Sequence, residues 1–108
     1  MKNLILIAVC ASMTFATVAN ANDLRISGEH QYGCIDKDYF KKTIEMVSQN
    51  DVTAFKKVLG AGIASGICTM FQDGETVFLT KSGFMLIKIR REGDATEYWT
   101  NTEAVAGQ

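Results

Sequence analysis

The chain has 108 residues, with 11 Lys and Arg against 12 Asp and Glu and a formal net charge of −1. That length supports one domain, and the near balance of charge excludes the basic footprint of a nucleic-acid binder. A core this small leaves stability marginal unless something braces it.

Residues 1–21 read as a cleavable secretory signal. Lys2 gives a basic start, Leu4 to Val18 form an almost unbroken apolar run, and Ala19-Asn20-Ala21 supplies a small-x-small cleavage site. Ser12, Thr14 and Thr17 interrupt the run, which falls short of the roughly 20 apolar residues that a spanning helix needs. Cys10 lies too early in the run to mark a lipid attachment site, so no stable membrane anchor is expected. These features predict a periplasmic protein that begins at Asn22 and carries 10 basic and 12 acidic side chains, a formal charge of −2.

Only Cys34 and Cys68 remain after such a cleavage, and an even pair in a small exported domain predicts a disulfide. The alternatives are a redox pair or a metal site with His30. There is no C-x-x-C, His30 is the sole histidine, and three ligands do not complete a tetrahedral site. Neither a metal nor another cofactor is expected.

Residues 22–33 are polar and aperiodic and are expected to form an extended lead-in or a short edge strand. A single small α+β domain is expected over 34–108. Asp36 reads as an N-cap, and Tyr39, Phe40, Ile44, Met46 and Val47 recur at helical spacing. Asp51 reads as a second cap, followed by Ala54, Phe55, Val58 and Leu59, with Gly60 and Gly62 expected to end that helix. The two helices, over about 36–60, form a hairpin. The stretch from Gly60 to Gly66 superficially suggests a phosphate loop, but it lacks the Lys-Ser or Lys-Thr ending and reads as a flexible joint.

From Ile67 the period changes. Ile67 to Phe71, Thr76 to Thr80, Phe84 to Arg90 and Thr96 to Thr100 are rich in β-branched and aromatic residues, and Asp73-Gly74, Ser82-Gly83 and Glu92-Gly93-Asp94 punctuate them. In the third strand Met85, Ile87 and Ile89 are expected on one face, with Lys88 and Arg90 opposite. The predicted fold is an N-terminal helical hairpin packed on a small four-stranded antiparallel sheet or partial barrel.

The run from Leu86 to Gly93, followed by Tyr98-Trp99-Thr100-Asn101-Thr102-Glu103-Ala104-Val105, resembles the closing half of bacterial SH3-like domains, and Asp73-Gly74 before Val77 resembles their preceding hairpin. About 40 residues are covered. The resemblance implies a small barrel that binds peptides or cell-wall material without catalysis. The asparagine- and arginine-bearing opening strand usual in that family has no equivalent before Ile67, so no binding residue is carried over.

His30 reads as a solvated histidine, and Asp36 and Asp38 as helix-start residues, so no catalytic group is assigned. Lys88, Arg90 and Arg91 form the densest basic cluster. With Tyr98 and Trp99 on the adjoining strand they make a candidate partner-binding patch, because arginine and aromatic residues are enriched where interfaces carry their energy. The alternative places Trp99 in the core and leaves the cations on a wet sheet face. The expected role is noncatalytic binding of a protein partner in a bacterial envelope, as an accessory subunit or as an inhibitor or immunity-type protein. A cell-wall ligand module, a small enzyme with a pocket between hairpin and sheet, and an exported toxic peptide are the alternatives.

Overall fold

Seven strands pair in one antiparallel sheet, where the sequence predicts four, and the two helices follow the first two strands instead of preceding the sheet. The computed structural model describes residues 23–107, so the predicted leader lies outside the described residues. In chain order the elements are β1 (Asp23–Ile26), β2 (Tyr32–Cys34), α1 (Lys37–Ser48), α2 (Val52–Ser65), β3 (Cys68–Met70), β4 (Thr76–Lys81), β5 (Leu86–Arg91), β6 (Glu97–Asn101), a 3-10 turn (Thr102–Ala104) and β7 (Val105–Gly107). Across the sheet they run β3-β2-β6-β5-β4-β1-β7.

The expected lead-in is the main correction. Residues 22–33 hold β1 and most of β2, and both are integral to the sheet. β1 pairs with β4 on one side and β7 on the other, placing Leu24 opposite Val77 and Ile26 opposite Val105. Its pairing is therefore supplied by segments some 50 and 80 positions away, which no local periodicity announces. β2 lies between β3 and β6. Gly33 permits that position: a Cβ there would stand 2.8 Å from the Phe71 ring and 2.9 Å from the Trp99 carbonyl oxygen.

Both predicted N-caps are present. The Asp36 carboxylate accepts from the backbone N–H groups of Asp38 at 2.9 Å and Tyr39 at 3.3 Å, and Asp51 accepts from Ala54 at 3.1 Å. α2 does not stop at Gly60 or Gly62. It continues to Ser65 and ends at Gly66, whose φ of 85° takes the left-handed turn that favours glycine at a helix end. The expected flexible joint over 60–66 is thus mostly helix. Tyr39 ties the two helices together by donating its hydroxyl to the Val58 carbonyl at 2.6 Å.

Side chains alternate across the sheet, so its two faces carry different cores. One face gathers Ile26, Phe71, Val77, Ile87, Ile89 and Tyr98, with the Phe71 and Tyr98 rings edge to face at 5.8 Å. The other lies under the helices, where Cys34, Phe40 and Cys68 are buried with Tyr39, Ile44, Leu59, Leu86 and Trp99 around them. Ile87 and Ile89 share the first core as expected, but Met85 precedes β5 and is exposed.

The predicted disulfide joins Cys34 to Cys68. The two residues face one another across β2 and β3, with Cα atoms 4.0 Å apart. Neighbouring backbone bonds run from Ile35 to Ile67 and from Phe71 to Gln31. By the alternation of an antiparallel ladder, that leaves the cysteine pair at a non-hydrogen-bonded position, where side chains approach most closely.

Candidate functional site

Five residues were expected to share a surface, and the register separates them. Lys88 lies opposite Trp99 across β5 and β6, and Trp99 in turn lies opposite Cys34 of β2. These side chains share the helix-covered face. Tyr98 points to the other side and is buried in the first core.

Arg91 is structural. Its guanidinium donates to Glu75 at 3.0 Å, to the Thr69 hydroxyl at 3.2 Å and to the Met70 carbonyl, binding β5 to β3 and to the turn before β4. Arg90, two residues beyond Lys88 on β5, shares the Trp99 face of the sheet, where its guanidinium lies over the Phe78 ring at 4.6 Å, across the β4–β5 pair. Of the five predicted residues, Trp99, Lys88 and Arg90 therefore share a face, with Lys88 over the indole.

Two further lysines, Lys37 and Lys81, complete that surface. Lys37, in the first turn of α1, sits 4.9 Å from the centre of the indole ring, Lys88 also 4.9 Å, and Lys81 at the end of β4 5.7 Å. Lys81 lies just beyond Thr80, the predicted end of its strand.

Next to Trp99, Leu86 opens a groove of about 610 Å³ between α1 and the β4–β5 hairpin. Ile44, Met85 and Leu86 make its apolar floor, while Asp38, Lys41, Lys42, Glu45, Ser48 and Asn101 form a polar rim. The hairpin tip projects beside it with Phe84 94% exposed and Met85 68% exposed. The sequence places Phe84 and Met85, directly after Ser82-Gly83, at the start of the third strand, yet β5 begins only at Leu86. Gly83 holds the turn closed, since a Cβ there would collide with the Leu86 carbonyl.

The scaffold behind the groove is tightly bonded. Thr43 is buried on α1, donates its hydroxyl to the Phe40 carbonyl at 2.6 Å and shares a 2.6 Å hydrogen bond with the Tyr32 hydroxyl of β2. Burial pushes the Tyr32 phenol above its ordinary pKa, and the bond to Thr43 offsets part of that rise.

His30 sits in the turn between β1 and β2 at a φ of 68°, with its ring in solvent and Glu29 3.9 Å away. It lies apart from the groove. Among the described residues, no three His, Cys, Asp or Glu side chains gather as a metal site would require, and no helix is long and apolar enough to cross a membrane. No protein-family model, no curated protein and no solved structure matches this chain.

Proposed function

We propose that this chain is an exported, noncatalytic binding protein of the bacterial envelope, which docks a protein partner in the groove between α1 and the β4–β5 hairpin. The carrying observation is the pairing of an almost fully exposed Phe84 with an apolar floor that includes the largely exposed Met85 and is ringed by charge. Specific interfaces combine an apolar centre with a polar rim, and aromatic and methionine side chains are enriched there. Burying Phe84 alone contributes about 1.5–3 kcal/mol to such a contact.

Three further features support this reading. The Cys34–Cys68 bridge suits an oxidising compartment, and the leader-like residues 1–21 account for how the chain reaches it. The resemblance of 86–105 to SH3-like domains points to binding rather than chemistry. The groove is open and amphipathic, and it does not contain the lone histidine.

The test compares the oxidised wild-type chain with a Phe84→Ser/Met85→Ser variant, both immobilised and exposed to the same envelope extract. A stoichiometric protein retained by the wild type and lost by the variant is the expected outcome. Equal retention by both, or turnover of murein fragments by the pure protein, would overturn the assignment.

A further inference from the structure

We infer that the lysine cluster around Trp99 is an anion site for a phosphate group. This site adjoins the docking groove but does not depend on a protein occupying it.

Three ammonium groups from three separate elements converge on one indole: Lys37 from α1, Lys81 from β4 and Lys88 from β5. Of the three, Lys88 alone has an ion-pair partner among the described residues, Glu97 at 3.5 Å. Lys37 is flanked by Asp36, whose carboxylate is engaged in capping α1, and by Asp38, which lies on the rim of the adjoining groove. The indole face attracts each cation individually. It does nothing to relieve their mutual repulsion.

The backbone departs from regular pairing to create this arrangement. Leu79 pairs with Ile89, but the next pair along the ladder is Lys81 with Lys88, so Thr80 is an extra residue bulged out of β4. In an unbroken ladder Thr80 would face Lys88, and Lys81 would follow Leu79 onto the other face. The bulge instead sets two like charges directly opposite each other, an arrangement that destabilises a strand pair. Bulges that re-aim a side chain in this way are concentrated beside functional sites. The N-terminus of α1, from which Lys37 projects, adds its own partial positive charge.

The number of converging donors selects the ligand. A carboxylate brings one charge and two oxygens, enough to satisfy one lysine of the set. A phosphate brings between one and two negative charges and three strong acceptor oxygens, which match three independent ammonium donors. Lysine binds such a group as a point charge, without the planar fork that arginine would impose.

The same phosphate chemistry is presented by a soluble phosphorylated compound and by a lipid headgroup, and the hairpin distinguishes them. Phe84 stands at the tip of the hairpin, in the loop that the Lys81–Lys88 pair closes. On a lipid surface it would enter the headgroup layer, whereas a soluble ligand would leave it untouched.

Trp99 is the single tryptophan of the chain, so its emission reports the site directly. Titration of the oxidised protein with pyrophosphate, and separately with phosphatidylglycerol vesicles against phosphatidylcholine vesicles, should change that emission, with calorimetry as a second readout for the soluble arm. The Lys37→Gln/Lys81→Gln variant, which leaves the Lys88–Glu97 pair in place, should weaken binding about tenfold or more for each lysine removed, and added salt should weaken it further. Phe84→Ser should leave pyrophosphate binding unchanged. If it abolishes vesicle binding, the phosphate belongs to a lipid; pyrophosphate binding with no vesicle binding assigns it to a soluble ligand. Absence of binding in both arms, or binding that ignores the lysine substitutions, would overturn the site, while leaving the protein-docking test above unaffected.

Discussion

Gly60 and Gly62 lie two residues apart on α2, and the structure gives alanine opposite effects at the two positions. Two residues span about 200° around a helix, so they face opposite sides. At Gly60, which is exposed, an added Cβ meets no atom within 4 Å. Gly60→Ala should therefore return the ordinary helix-propensity gain of about 0.8–1 kcal/mol. At Gly62, which is buried, the same Cβ would stand 2.8 Å from the Cys68 sulfur and 2.8 Å from Cε1 of Tyr39. Neither neighbour yields easily. The sulfur is fixed in the cross-strand disulfide, and the Tyr39 ring is tethered through its hydroxyl to Val58. Overpacking of this kind costs about 1–3 kcal/mol, which cancels or exceeds the propensity gain. The two variants should therefore differ by about 1–3 kcal/mol, with Gly60→Ala the more stable. In a domain of this size that separates their melting temperatures by about 4–8 °C per kcal/mol. Thermal unfolding followed by circular dichroism measures the pair side by side. Equal stabilisation by both substitutions would show that α2 does not press on the disulfide as described. Repeating Gly62→Ala in a Cys34→Ala/Cys68→Ala background should shrink its penalty, because one of the two obstructing atoms is gone.

The disulfide closes a loop with a sequence separation of 34, and the chain-entropy estimate gives it about 3.8 kcal/mol; Cys34→Ala/Cys68→Ala should lower the urea midpoint accordingly, and an unchanged midpoint would contradict a bracing role. Tyr32 has a raised pKa in the folded chain, so the folded state holds its proton more tightly than the unfolded state does. Its contribution is intact below the unfolded value and is lost as pH rises through the folded one, so stability should fall in the alkaline range above about pH 10, and Tyr32→Phe should flatten that fall in a pH series of denaturation curves. Arg91→Lys should destabilise by about 1–3 kcal/mol, since lysine cannot hold Glu75, Thr69 and the Met70 carbonyl at once. Full retention of stability by that variant in urea denaturation would return Arg91 to the surface patch.

What could be read from the sequence was whatever carried its own local signal. Asp36 and Asp51 cap helices because a carboxylate there meets the free N–H groups of the first turn, a relation confined to three or four residues. The four strands after Ile67 have enough β-branched and aromatic residues to show a period. β1, β2 and β7 have four, three and three residues, and β2 and β7 each include a glycine, so no period exists to be read. Their place in the sheet is decided by partners far along the chain. Gly60 and Gly62 misled for a related reason. Glycine marks a helix end when it is needed for a left-handed turn, which holds at Gly66, whereas Gly62 is needed for the closeness of a sulfur atom. The candidate site divides along the same line. Trp99 and Lys88 were found because they lie on adjoining strands, while Tyr98 was misplaced because neighbouring residues on a strand face opposite ways. Lys81 depends on a bulge that leaves no mark in residue spacing.

The position of Trp99 links the covalent brace to the proposed binding surface. β6 is an interior strand, bonded to β5 on one side and to β2 on the other, and Thr100 adds a bond from its hydroxyl to the Tyr32 carbonyl at 2.8 Å. Directly across β2 from Trp99 is Cys34, which is joined to Cys68 on the edge strand β3. The indole therefore rests on a platform whose backbone is held by strand pairing and whose outer edge is locked by a covalent bond. Binding there costs little ordering of the main chain, and the lysine side chains carry most of what entropy is lost. Without the bridge, β3 would be a three-residue edge strand beside a three-residue neighbour, too short a pair to hold register on its own. The platform under Trp99 would then loosen before the first core, which lies on the opposite face and is anchored by β1, β4 and β5. On this reasoning the oxidised state sets the affinity of the surface as well as the stability of the fold, and a chain retained in a reducing compartment would keep its Tyr98 core while losing an ordered Trp99 site.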